Sequence, residues 1–131
     1  VLINIDLQSN EPIYEQLKNQ IMIQIARKDL KPGDGLPSVR RFAADLGINL
    51  HTVNKAYQQL KQEGFILIHR QKGVVVNPEG IPSVDGEYEE KLAQSLRPLI
   101  AESACRGMTE GEFTSFCRQL FKQLTDEGDE Y

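Results

Sequence analysis

The sequence is poor in the residues that build metal and covalent sites. Only two cysteines and two histidines occur in 131 residues. Cys105 and Cys117 form no CxxC pair and no dense framework, so both thiols are expected to be reduced. His51 and His69 are isolated, and no His/Cys/carboxylate spacing suits a metal. No nucleophile motif and no glycine-rich phosphate loop appears, which argues against catalysis and against a cofactor. Missing too are an apolar run able to cross a bilayer and a basic-then-apolar N-terminal signal. A cytoplasmic protein with no membrane association is the expectation.

What is present is organised around residues 36–57. Val39, Phe42, Ala43 and Leu46 recur at helical spacing, and Val53, Ala56, Tyr57 and Leu60 repeat it on a second helix. Gly47 stands between them, where the backbone must turn sharply. Ser38 and Asn49 suit the two N-caps, and Ile48 with Val53 forms a hydrophobic staple. This is the pattern of a helix-turn-helix. Its second helix would turn Leu50, His51, Asn54, Lys55 and Gln58 outward, and a DNA major groove is the candidate partner.

The net charge of −4 argues against nucleic acid only until its distribution is considered. Residues 1–78 hold 10 Lys+Arg against 7 Asp+Glu, and residues 79–131 hold 5 against 12. The basic half contains the helix-turn-helix; the acidic half would be repelled by phosphates.

In chain order, residues 2–7 alternate as an extended lead-in. Asn10-Glu11-Pro12 predicts a helix start with Asn10 as cap, followed by Ile13, Leu17, Ile21 and Ile25 in i+4 steps. Lys31-Pro32-Gly33-Asp34 ends that helix. Leu36-Pro37 is a brief extended piece. Gly64 is expected as the C′ residue of the recognition helix, with Phe65 against Leu60. Residues 65–70 and 73–77 predict a β-hairpin with a basic tip. Residues 78–86 read as a linker. Beyond it, Tyr88, Leu92, Leu96, Leu99, Ile100 and Ser103 mark one helix, which Pro98 is expected to kink or break. Thr109 and Glu112 predict a capping box for a second helix, with Phe113, Phe116, Cys117, Leu120, Phe121 and Leu124 on its apolar face. Gly107 folds the pair into an αα-hairpin.

The expected architecture is mainly α with a small β-hairpin. A winged helix-turn-helix (1–77) is followed by a linker (78–86), a two-helix dimerisation region (87–124) and an acidic tail (125–131). The two helices carry more apolar side chains than a lone hairpin can bury. Leu92, Leu96, Leu99, Ile100, Phe113, Phe116, Leu120, Phe121 and Leu124 are therefore expected to pair across a two-fold axis with a second copy. Packing on the winged helix of the same chain is the competing arrangement.

Leu36-Pro37-Ser38-Val39-Arg40, then Ala43, Leu46-Gly47-Ile48-Asn49, Thr52-Val53, Lys55-Ala56-Tyr57, Leu60 and Glu63-Gly64 resemble the GntR family of bacterial transcription regulators. Pro12 to Leu17 and Leu30 to Asp34 match as well, so the resemblance spans residues 6–77. The short two-helix tail resembles the family's YtrA branch. The resemblance implies a homodimeric repressor on a pseudo-palindromic double-stranded operator. It places DNA contacts at Arg40, at the start of the recognition helix and around Gly73. Many members carry arginines where this chain has Leu50 and Asn54, and the usual Gly-x-Gly wing tip is here Arg70-Gln71-Lys72-Gly73. A pyridoxal-dependent extension, found in another branch, is not expected.

The candidate DNA-binding residues are Ser38, Arg40, Arg41, Asn49, His51, Thr52, Asn54, Lys55, Arg70, Gln71, Lys72 and Gly73. Arg40 and Arg41 gain nothing from the dipole at a helix start, so a partner better explains them. Arginine can fork onto phosphate or guanine; Asn54 could read adenine; Lys55 could hold phosphate or guanine. Thr52 and the amides near Asn49 suit a phosphate at a helix N-terminus. The hairpin tip offers charge to a minor groove or backbone. A winged-helix module that binds an acidic protein is the alternative. A small-molecule effector could find a pocket at the dimer interface, but no residue set identifies one.

Overall fold

In the computed structural model, residues 3–71 and 73–125 are described. The chain runs α1 (Ile13–Ala26), β1 (Gly35–Leu36), α2 (Val39–Leu46), α3 (Leu50–Gln62), β2 (Ile66–His69), β3 (Gly73–Val76), α4 (Gly86–Cys105) and α5 (Glu110–Thr125). It divides into two units, Val1–Pro82 and Ser83–Tyr131.

In the first unit, α1 starts later than the sequence suggests. Pro12, not Asn10, holds the N-cap position, with ψ 147° and no side-chain cap, and Gln16 N donates to its carbonyl at 3.1 Å. The reason is steric: the proline ring pushes the preceding residue, Glu11, away from helical angles. The lead-in is held by side chains rather than by a strand. Gln16, only 6% exposed, donates Nε2 to the carbonyls of Asp6 and Glu11 and accepts from Asp6 N at 2.8 Å. One turn on, the Gln20 amide makes the same two-way exchange with the backbone of Asn4. Ile3 and Ile5 are thereby pressed onto the core.

Helices α2 and α3 form as their caps dictate. Ser38 Oγ accepts from Arg41 N at 3.2 Å, and Asn49 Oδ1 from His51 N at 2.7 Å. Gly64 adopts φ +85° beyond α3, with Phe65 N on Leu60 O at 2.9 Å and Gly64 N on Lys61 O at 3.1 Å. Those two bonds make a Schellman cap. The same pair closes α2 around Gly47, through Ile48 N to Ala43 O and Gly47 N to Ala44 O.

Helix α3 packs against α1, α2 and β2. Its Val53, Ala56, Tyr57 and Leu60 are fully buried, together with Leu17 and Ile21 of α1, Ile66 and Val76. Phe42 and Ala43 of α2 close the core from the other side. The hairpin forms where predicted, with Ile66 opposite Val76 and His69 opposite Gly73. A third strand, β1, adds to it: Gly35 pairs with Val75 and Leu36 with Val74, giving the order β1-β3-β2. Two residues are too few to show periodicity, so the sequence gives this segment only as extended.

The stretch 78–86 is not a free tether throughout. Gly80 N closes a turn onto Asn77 O at 2.9 Å, and Asn77 Nδ2 donates to Gly64 O at 3.0 Å. Pro82 lies so close to Gly64 that a Cβ there would sit 2.7 Å from its Cγ.

In the second unit, Asp85 accepts from Tyr88 N at 2.8 Å and starts α4 at Gly86. The helix continues through Pro98, so the expected alternative of a break does not occur. Met108 N on Ser103 O and Gly107 N on Ala104 O close its end. The predicted capping box is present in both directions: Glu112 N donates to Thr109 Oγ1 at 3.1 Å, and Thr109 N to Glu112 Oε1 at 2.9 Å. Of the acidic tail expected over 125–131, all beyond Thr125 lies outside the described residues.

Gly64→Ala should be costlier than Gly47→Ala. Both force alanine to a left-handed backbone, about 1 kcal/mol, but only at 64 does the new Cβ meet an atom. We expect about 2 kcal/mol at Gly64 by urea unfolding, falling to about 1 kcal/mol when Pro82→Ala is added. Equal losses at the two glycines would show that Pro82 does not bear on the helix end.

Candidate nucleic-acid interface

The two faces of α3 differ completely. One is the buried seam already described; the other exposes His51, Asn54, Lys55 and Gln58 to solvent. Leu50, expected on the outward face, is instead half-buried and packed against the core. It sits one turn before Asn54 but is turned inward, because an aliphatic side chain at the first position of α3 gains by covering core that the helix end leaves open. The exposed polar side chains of the outer face therefore begin with His51.

The buried face is pinned by Tyr57. Its ring packs on Phe42, with centroids 6.1 Å apart, and its hydroxyl donates to Pro37 O at 2.8 Å. One side chain thus ties the recognition helix to the residue that leads into α2. Burial pushes the phenol above its ordinary pKa of 10.0. At the far end of α3, Lys18 of α1 meets Glu63 at 3.1 Å and Gln59 at 3.3 Å.

Ser38 and Asn49 are engaged as helix caps, so their oxygens serve the chain's own amides. Arg40 is exposed and, among the described residues, has no carboxylate partner. Arg41 instead leans on Asp45, 3.7 Å away in an exposed i,i+4 pair. Such a pair is worth at most about 1 kcal/mol and yields readily to a stronger anion. Thr52 is half-buried beside the helix start. Lys55 does not extend freely: its Nζ lies 3.9 Å from the centre of the Tyr14 ring of α1.

At the wing, Arg70 and Gln71 are exposed in the turn between β2 and β3. Gly73 has φ +77° with nothing within 4 Å of a would-be Cβ, so backbone conformation explains the glycine and leaves its surface open. Lys72 lies outside the described residues.

On α4 and α5 no described residue is buried. Leu92, Leu99, Ile100, Phe116, Leu120, Phe121 and Leu124 are exposed, Phe121 to 70%. Leu96 and Phe113 are half-buried. An open groove of about 530 Å³ runs along α5, lined by Met108, Gly111, Glu112, Ser115, Phe116 and Gln119. Among the described residues no group of His, Cys, Asp and Glu could hold a metal, and no helix is long and apolar enough to cross a membrane.

A recognition helix displayed by two supporting helices beside a three-stranded wing defines a winged helix-turn-helix protein of the DNA-binding class. The family model described as "Bacterial regulatory proteins, gntR family" matches residues 13–76. The HTH-type transcriptional repressor YtrA of Bacillus subtilis (strain 168) is 34% identical over 107 residues, 82% of this chain and 82% of that protein. Among solved structures, YtrA from Sulfolobus acidocaldarius, a GntR-family transcription factor, is 42% identical with a TM-score of 0.62, covering 77% of this chain and 99% of its own. A transcriptional antiterminator from Listeria monocytogenes EGD-e superposes with a TM-score of 0.88 at 25% identity, covering 95% of this chain and 93% of its own. The chain belongs to the GntR family and is a transcription regulator, in a family of regulators and not of enzymes.

Tyr57→Phe should cost about 1 kcal/mol at neutral pH, the hydrogen bond to Pro37 being lost. The pH dependence has a defined sign. A phenol whose folded pKa is raised stabilises fully below pH 10.0 and loses that contribution as pH rises beyond it. Melting temperatures measured from about pH 8 to about pH 11 should fall more steeply for the wild type than for Tyr57→Phe. Parallel curves would show that the buried hydroxyl is not what titrates.

Proposed function

We propose that two copies of this chain bind a pseudo-palindromic operator, each setting α3 into a major groove, and that the complex represses transcription in the cytoplasm. The observation that carries the DNA contact is the two-faced recognition helix: a wholly buried seam holds it rigid while His51, Asn54, Lys55 and Gln58 stand exposed. His51 and Asn54 are assigned to base edges. Arg40, with no partner among the described residues, is assigned to phosphate or guanine, and Arg41 to phosphate once it leaves Asp45. Thr52 and the amides after Asn49 address a backbone phosphate, with Ser38 and Asn49 fixing both helix starts. Arg70, Gln71, Lys72 and Gly73 are assigned to the flanking backbone or minor groove.

Pairing of two copies rests on a different observation, the apolar surface of α4 and α5. Leu92, Leu99, Ile100, Phe116, Leu120, Phe121 and Leu124 are exposed on helices that bury nothing. Covering the part of each side chain still exposed contributes on the order of 1 kcal/mol, so the set together offsets much of the cost of bringing two copies together. Leu96 and Phe113, already half-buried, are assigned to the same pairing surface. The groove along α5 is assigned to the second copy rather than to a small molecule, since it is open and has one charged group, Glu112.

Selection of genomic fragments by purified protein, followed by salt titration, tests the DNA reading. A palindromic motif with half-sites about one helical turn apart is expected. Arg40→Ala should then weaken binding by roughly 1–3 kcal/mol, and unchanged affinity would remove Arg40 from the interface. Weak binding without sequence preference would favour the alternative, a module for an acidic protein.

Sedimentation tests the pairing. The full chain should run as a dimer, Phe121→Asp with Phe116→Asp as a monomer, and the segment Val1–Pro82 as a folded monomer. A monomeric full chain would overturn the dimer.

A further inference from the structure

The Tyr14–Lys55 contact has no role in the core and none in the proposed base readout. Lys55 is exposed, whereas the Tyr14 ring is half-buried and packed against the core. The ring is thus the fixed partner and the lysine the movable one. At 3.9 Å from the ring centre the ammonium is in cation–π range. One turn further along α1, Lys18 meets Gln59 of α3 at 3.3 Å, but there its charge is neutralised by Glu63, just beyond α3, at 3.1 Å. No carboxylate among the described residues pairs with Lys55, so its charge is held in place without being cancelled.

We propose that Tyr14 is a positioning residue for DNA binding: its ring holds Lys55 at the α1 edge of the recognition helix, where the ammonium meets a backbone phosphate rather than a base. This rests on the DNA reading above. A lysine reading guanine would have to extend into the groove beside Asn54. Lys55 is drawn sideways toward α1, off that face. An ammonium contributes only a point charge, which suits a phosphate and carries little sequence information. A lysine side chain is also among those that lose most rotamer freedom when fixed, and resting it on an aromatic face limits that loss before DNA arrives. The ring leaves N–H donors free for phosphate oxygen.

The test is fluorescence-anisotropy titration of the full chain on a labelled random-sequence duplex of about three helical turns, across a salt series. Lys55→Ala should weaken binding several-fold and lower the log–log salt slope by about one. Tyr14→Leu should weaken binding about three-fold in the wild-type background and not at all in Lys55→Ala. Tyr14→Phe should restore wild-type affinity, because the ring face and not the hydroxyl is used. Pentafluorophenylalanine in place of Tyr14 keeps the shape but removes the negative ring face, and it should behave as Tyr14→Leu does. That variant decides the matter even where Tyr14→Leu fails to fold. Wild-type affinity with the fluorinated ring would overturn the proposal, as would an equal loss from Tyr14→Leu with and without Lys55. A larger loss for Lys55→Ala on one selected sequence than on random duplex would make Lys55 a base reader instead. A wild-type chain that holds no duplex at low salt would remove the DNA reading itself, and this proposal with it.

Discussion

Everything in the first unit depends on the burial of one face of α3. Val53, Ala56, Tyr57 and Leu60 are removed from water by α1, α2 and the hairpin together. A helix of 13 residues would be marginal in isolation. Its order comes from this seam, and its outer face inherits that order without contributing to it. The surface residues are consequently free to be chosen for a partner. His51 and Asn54 have no structural duty that the described contacts reveal, and polar groups held in fixed positions recognise at lower entropic cost than mobile ones.

The second unit reverses this relation between surface and stability. Its helices are well started, by Asp85 and by the Thr109–Glu112 box, yet neither buries a residue. Local devices define each helix, but the apolar surface left over asks for an outside occupant. The charge difference between the halves of the sequence has the same logic. A basic surface gathers phosphates, and an acidic one is kept from them.

Side-chain amides do backbone work in this fold, and that was not legible. No local pattern marks Gln16 as buried, since glutamine is ordinarily a surface residue on a helix. In the structure it satisfies its own polar atoms by pairing with the lead-in, three bonds in all, so burial carries no unsatisfied group. Gln20 repeats the device. Likewise β1 is a strand because β3 lies beside it, and Leu50 turns inward because it packs against the core. The Tyr14–Lys55 contact joins residues 41 positions apart through the α1–α3 packing, which no local spacing encodes.

The sequence by itself determined the parts whose physics is local. Ser38, Asn49, Asp85 and the Thr109–Glu112 pair act within one turn, and Gly47 and Gly64 end helices because few other residues tolerate their backbone angles. Helical spacing of apolar residues then named the faces of the helices, and with them the recognition helix, while two short strand-forming runs around a basic tip named the hairpin. Tertiary structure decided what happens where two elements meet: that Leu50 faces in, what holds the lead-in, where Lys55 rests. Caps and periods are short-range properties of a chain, whereas the choice between solvent and a neighbour depends on atoms far away in sequence, and only packing brings those together.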